Sequence, residues 1–188
     1  AAASCGEGET LVGGGSNIVG PEQNIVLEGS RVIETGTARE FRTSATDLGA
    51  GAASSQAWTV ETHAFCSDAA GFELVEESTL ILPAPNKSFS LNCPSGKVPI
   101  SGGGSISGHD APVITVSRPK DGAPGEPPVG WIVEAQNSAP LWALYANVVC
   151  APIADPTVSK AGMVTRIQGA DAGSDSWGTG HGDALGGT

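Results

Sequence analysis

The chain has 188 residues, 27 of them Gly and 13 Pro, with only 15% charged residues and a formal net charge of −11. That length suits one substantial domain or two small ones, and the Gly and Pro content implies many turns and few helices. The acidic balance excludes a nucleic-acid surface, which needs clustered Lys and Arg, and adsorption on anionic membranes. No stretch reaches the roughly 20 apolar residues of a membrane-spanning helix, so membrane insertion is not expected.

The chain opens Ala1-Ala2-Ala3-Ser4 without a Met, as a mature end does after signal-peptide removal at small residues. A duplication then governs everything up to Cys150. Cys5 stands eight residues before Gly13-Gly14-Gly15, and Cys93 nine before Gly102-Gly103-Gly104. Trp58 precedes Cys66 by eight, and Trp142 precedes Cys150 by eight. A unit framed as Cys, three glycines, Trp, Cys thus occurs twice, offset by 84 to 89 residues. A period on this scale identifies the supersecondary unit being copied.

Strand signals dominate in chain order: Thr10–Val12, Ile25–Glu34, Phe72–Ser78, Phe89–Cys93, Val98–Ser101, Val113–Ser117 and Trp131–Ala135. Gly, Pro, Asn and Ser clusters separate them, the spacing of an all-β sandwich, prism or barrel. Lys120 to Val129 reads as a surface loop. Trp142, Leu144, Ala146, Val148 and Cys150 share one face of an extended segment, as do Trp58, Val60, Thr62, Ala64 and Cys66. Eight is even, so Trp and Cys point the same way, and that face is read as buried. The opposite faces, with Glu61 and His63 in one copy and Tyr145 and Asn147 in the other, are read as outward. Phe41 stands where Trp131 stands. The glycine triplets read as a bulge or a close approach of backbones. They are not a phosphate loop, because neither Gly-Lys-Ser/Thr nor a helix follows them.

None of the four cysteines forms a Cys-x-x-Cys pair, which removes zinc-ribbon and thioredoxin readings. The simplest pairing closes each repeat, Cys5 with Cys66 and Cys93 with Cys150, although four cysteines admit two other pairings. Structural disulfides imply an oxidising location, outside the cell or in the periplasm.

The second copy runs Cys93-Pro94-Ser95-Gly96, Gly102-Gly103-Gly104, Gly130-Trp131, then Tyr145-Ala146 ahead of Cys150. It resembles a repeat of secreted bacterial proteins, many of them actinobacterial and uncharacterised, with units of Cys-Pro-x-Gly, Gly-Gly-Gly, Gly-Trp and Tyr-Ala-x-Cys. The resemblance covers residues 5 to 150 and is looser in the first copy, which lacks the Pro, the Gly-Trp and the Tyr. It departs at the end, where two residues separate Asn147 from Cys150. It implies a secreted β-rich domain and brings no activity with it.

Chemistry is sparse. No Gly-x-Ser-x-Gly elbow occurs, and Glu76-Glu77 alternate across a strand, so they cannot flank one bond. No enzyme and no cofactor are expected. His63 and His109 read as surface residues. Asp171, Asp175, His181 and Asp183 are weak metal candidates whose spacing matches no calcium loop, so they read first as a solvated Gly/Asp/Ser tail. Trp131, Trp142 and Tyr145 are the candidates for a sugar-stacking platform. Asn86-Lys87-Ser88 is a glycosylation sequon on an expected loop.

Residues 67–92 connect the repeats 1–66 and 93–150, and a Gly-rich arm, 151–188, follows. The first repeat lacks the strands that precede the second, and the arm offers one at 157–168, with Val158, Met163, Val164 and Ile167 as its apolar residues. Backbone pairing of that segment with the next molecule's first repeat would join copies head to tail. The alternative is an arm folded back on its own chain. The expectation is an all-β, two-repeat, extracellular or cell-surface structural protein, a fibre subunit whose partners are copies of itself. The runner-up is a lectin-like module with glycans as partners.

Overall fold

In a computed structural model, the structure describes residues 1–20, 25–36, 38–47, 58–108, 113–124, 126–139 and 141–153, and the backbone alone of 162–170. The described residues form strands and turns without a helix. In chain order the strands are β1 (Ala2–Ser4), β2 (Thr10–Val19), β3 (Ile25–Thr35), β4 (Ala38–Asp47), β5 (Trp58–Ser67), β6 (Glu73–Ser78), β7 (Asn86–Asn92), β8 (Lys97–Ser107), β9 (Val113–Lys120), β10 (Gly130–Gln136), β11 (Ala143–Pro152) and β12 (Gly162–Ala170). The fold is all-β and sandwich-like, closed by two disulfides, Cys5–Cys66 and Cys93–Cys150.

Register reveals how the duplication is built. Phe41 pairs with Ala3, two residues before Cys5, and Trp131 pairs with Leu91, two before Cys93. Gly14 pairs with Ala64, two before Cys66, and Gly102 pairs with Val148, two before Cys150. The strands therefore correspond as β1 to β7, β2 to β8, β3 to β9, β4 to β10 and β5 to β11. Each repeat packs the order β1-β4-β3 or β7-β10-β9 in one layer. The other layer is β12-β5-β2 or β6-β11-β8. Both copies bulge at one place, beside the second cysteine of each, where Val12 and Ile100 are the extra residues.

Two sequence expectations change here. The segment 67–92 is more than a connector, because it supplies β6 and β7 to the second repeat. The first repeat does have a counterpart of β7 before Cys5, the short β1. What the chain lacks ahead of the first repeat is a counterpart of β6. Strand β12 fills that place, running antiparallel along β5 from Gly162↔Cys66 to Ala170↔Trp58. In the single chain, the arm thus completes its own first repeat.

The two cores differ in size. The second is built on Trp142, just ahead of β11, and Leu144, Ala146, Val148 and Cys150 of β11, with Leu91 and Val133 opposite, as the alternation predicts. The first has smaller residues, Ala3, Leu11, Val32, Phe41, Ala64 and Cys66, and it is completed by Val149 of β11 with Leu74 and Ile100. Trp58 is only half-buried, unlike Trp142. The repeats fuse where β3 pairs with β8, which joins β1-β4-β3 and β8-β11-β6 into one six-stranded sheet.

Each cystine ties the loop after a first-layer strand to the end of a second-layer strand, so it restrains both layers of its sandwich. With 57 residues separating Cys93 from Cys150, the chain-entropy argument assigns the bridge about 4 kcal/mol. Replacing both by Ala is expected to lower the unfolding free energy by about that much, read as a drop in the urea midpoint.

Candidate functional site

The residue types that carry function in most proteins are dispersed here, and the best-built feature is the seam between the repeats. Glycine makes it. A side chain on Gly103 would collide with the Ser30 carbonyl, and one on Gly29 with Ser105. The ladder is only two pairs long, Gly29↔Ser105 and Ser30↔Gly104. The triplet's other two glycines serve the second core: a Cβ at Gly102 would lie 2.5 Å from the Trp131 ring, and one at Gly104 would lie 2.6 Å from Val133. Gly14, the counterpart of Gly102, gives way in the same manner to the Phe41 ring. The two triplets are therefore one residue out of step: Gly14-Gly15-Ser16 corresponds to Gly102-Gly103-Gly104, and Gly13 to Ser101.

Polar contacts secure the seam. Asn147 of β11 is fully buried and donates its amide N–H to the Val32 carbonyl of β3. Arg31 of β3 donates from Nε to Ser105 Oγ at 2.8 Å, forms an ion pair with Glu76 at 3.2 Å, and lies 5.1 Å from the centre of the Tyr145 ring. Burial pushes the Arg31 guanidinium below its ordinary value, while Glu76 and then Tyr145 pull it back. A guanidinium stays charged under such shifts, so Arg31 remains a cationic latch across three strands of the other repeat. The face of β11 that the alternation assigns to solvent is thus covered: Asn147 and Val149 are both fully buried by the first repeat.

The corresponding face of the first repeat is more open. Phe65 occupies the position of Val149 and is 40% exposed. Glu61 stands at the position of Tyr145, His63 at that of Asn147, and both are half-buried. Asn17 Nδ2 donates to Glu61 Oε2 at 3.4 Å. Gly15, the counterpart of Gly103, has no described atom within 4 Å of where its Cβ would be.

The sequence-derived sugar platform does not assemble. Trp142 is fully buried in the second core, with its Nε1–H donated to the Ala84 carbonyl at 2.6 Å, so no ring face is available to a sugar. Lys87 caps that ring at 4.7 Å and donates to the Trp142 carbonyl. Trp131 lies against Gly102 and donates to Ser117 Oγ at 3.1 Å, and Tyr145 lies under Arg31. Asn86 of the sequon is exposed but begins β7, paired with Gln136, rather than sitting in a loop. Asp171, Asp175, His181, Asp183, His109 and Val158 lie outside the described residues. Met163, Val164 and Ile167 fall on β12, opposite Phe65, Ala64 and Glu61. Among the described residues, the one group with metal-ligand atoms close together is Cys5, Glu9 and Cys66, and the disulfide consumes both sulfurs. No family model, curated protein or solved structure matches this chain.

The seam differs chemically from the open face, and two substitutions read that difference. Asn147→Leu leaves the buried Val32 carbonyl without its donor and is expected to cost about 1–3 kcal/mol. Gly103→Ala drives a methyl into the β3 backbone and is expected to cost about as much, about 1–3 kcal/mol, by overpacking. Gly15→Ala, at the matching but open position, is expected to leave the thermal midpoint within a degree or two of the parent, roughly the scatter of a neutral surface change.

Proposed function

We propose that this protein is a non-catalytic, extracellular structural subunit that assembles with copies of itself by β-strand addition. The observation that carries the reading is the place of β12. The first repeat is a three-on-three sandwich only when a strand from beyond Cys150 lies along β5. Eight residues, 154–161, link that strand to Ile153. A terminal strand that completes a sheet edge through backbone hydrogen bonds can do so in its own chain or in a neighbour, because the ladder is the same in either. Exchange between molecules links each arm to the next first repeat. Two cystines and a formal net charge of −11 suit a protein that must hold shape and stay dispersed in an oxidising exterior. The carbohydrate-binding reading has less support, since one of its two tryptophans, Trp142, is in the core.

Light scattering after size exclusion, with electron microscopy of the same fractions, tests this. The full chain is expected to form oligomers that grow with concentration. Removing residues 154–188 is expected to strip the first repeat of its sixth strand and to leave monomers. Assembly of the shortened chain equal to that of the full one would end the arm-exchange reading.

A further inference from the structure

Among the described residues, the seam within the chain has a matching pair of strand edges left unpaired at its two ends. Strand β9 is the second-repeat counterpart of β3, and it is the outer strand of β7-β10-β9. Strand β2 is the first-repeat counterpart of β8, and it is the outer strand of β12-β5-β2. Val32 pairs with Phe41 and Pro119 with Trp131, so Ser30-Arg31 of β3 corresponds to Ser117-Arg118 of β9. The seam-forming dipeptide is thus present twice. In the first copy Arg31 is held by Ser105, Glu76 and Tyr145. In the second, Arg118 is 53% exposed, and among the described residues it reaches Asp121 at 3.3 Å and the carbonyl of Pro119 at 3.1 Å.

We propose that β9 of one molecule docks on β2 of a second copy in the register of the internal seam, and that Arg118 of the first pairs there with Glu61 of the second. This rests on the self-assembly reading above and gives the exchanged chains a second contact, one that holds copies together only alongside β12 exchange. In that register Ser117 faces Ser16 and Val116 faces Asn17, as Ser30 faces Gly104 and Gly29 faces Ser105 within the chain. Gly15 lies beside these pairs, with the space a side chain would fill there open to the incoming strand. Arg118 arrives over the Asn17–Glu61 pair, the counterparts of Ser105 and Tyr145. The carboxylate of Glu61 takes the part that the Tyr145 ring and Glu76 play inside the chain. Phe65, left 40% exposed, comes to lie in the joint as buried Val149 lies in the seam.

Two differences set the joint's character. Val116 replaces Gly29, so the strands keep the ordinary separation of about 4.8 Å instead of the closer crossing of β3 over β8. Pro119 offers no N–H, but it lies beyond the two paired residues and leaves that ladder whole. Head and tail surfaces are different, so the contact is heterologous and extends from molecule to molecule in a ring or an open fibre.

Charge reversal tests the joint in the full-length chain. R118E and E61R are each expected to raise the concentration for assembly by tenfold or more, because each sets like charges against each other. An equimolar mixture of the two is expected to assemble again, in alternation, because R118E β9 then docks on E61R β2 with opposite charges facing. Gly15→Tyr, whose Cβ would meet nothing within 4 Å in the folded monomer, plugs the approach and is expected to block assembly while circular dichroism and the melting curve stay as in the parent. Single variants that assemble like the parent, or a mixture no better than its components, would overturn the joint while leaving β12 exchange standing. A parent chain that stays monomeric at all concentrations would overturn both.

Discussion

The crossing of β3 over β8 is the contact on which the rest of the molecule depends. It is possible only because Gly103 and Gly29 have no side chains where the backbones meet. Closing that distance brings the Val32 carbonyl over Asn147 and places Arg31 across Ser105, Tyr145 and Glu76. It also lays Val149, Leu74 and Ile100 against the small first core. Without these three, that core would consist of two alanines, one Leu, one Val, the Cys5–Cys66 cystine and two Phe, of which Phe72 is only partly buried. A sandwich so thin buries little apolar area, so the first repeat depends on the second for its completion.

That dependence makes the two repeats unequal in a directional way. The second repeat has a full core and contributes its back face to the first. The first leaves its own back face, with Phe65 and Glu61, without a second sheet over it among the described residues. A duplicated unit that uses an interface once internally has one unused copy of each half at its ends, as in other repeat architectures whose terminal units differ from the interior ones. Here the arm supplies one missing strand through β12, and among the described residues the remaining surfaces are β9 and the face of β2 and β5. Edge strands of this kind favour association unless they are guarded, and Pro119 guards only one end of β9.

Much of the architecture is legible in the residue pattern. The even spacing of Trp and Cys places β11's buried face correctly, because side chains alternate along a strand. Pairing within each repeat is the simplest choice among three, and the cystines follow it. Other features are hidden for identifiable reasons. The outward face of β11 cannot be known as buried, because Asn147 looks like a solvent-facing residue until the Val32 carbonyl is brought to it from 115 residues away. Strand β4 escapes the strand signals, since Ala38–Asp47 carries Arg39, Arg42 and Glu40, which pair with neighbours across the sheet surface rather than signalling a core. The glycine triplets look aligned but are offset by one residue, because only two positions of the first triplet match positions of the second.

By itself, the amino-acid sequence determined the all-β class and the duplication, and made pairing of cysteines within each repeat the simplest of three choices. These follow from local periodicity and spacing, which are properties of the chain. Tertiary structure alone decided which duplicated surfaces meet. The same Ser-Arg dipeptide is latched at residues 30–31 and exposed at 117–118, and the difference is made by the strand that crosses it. Contacts between strands far apart in sequence depend on steric fit at single glycines, and no local pattern records which of two equivalent glycines will be covered.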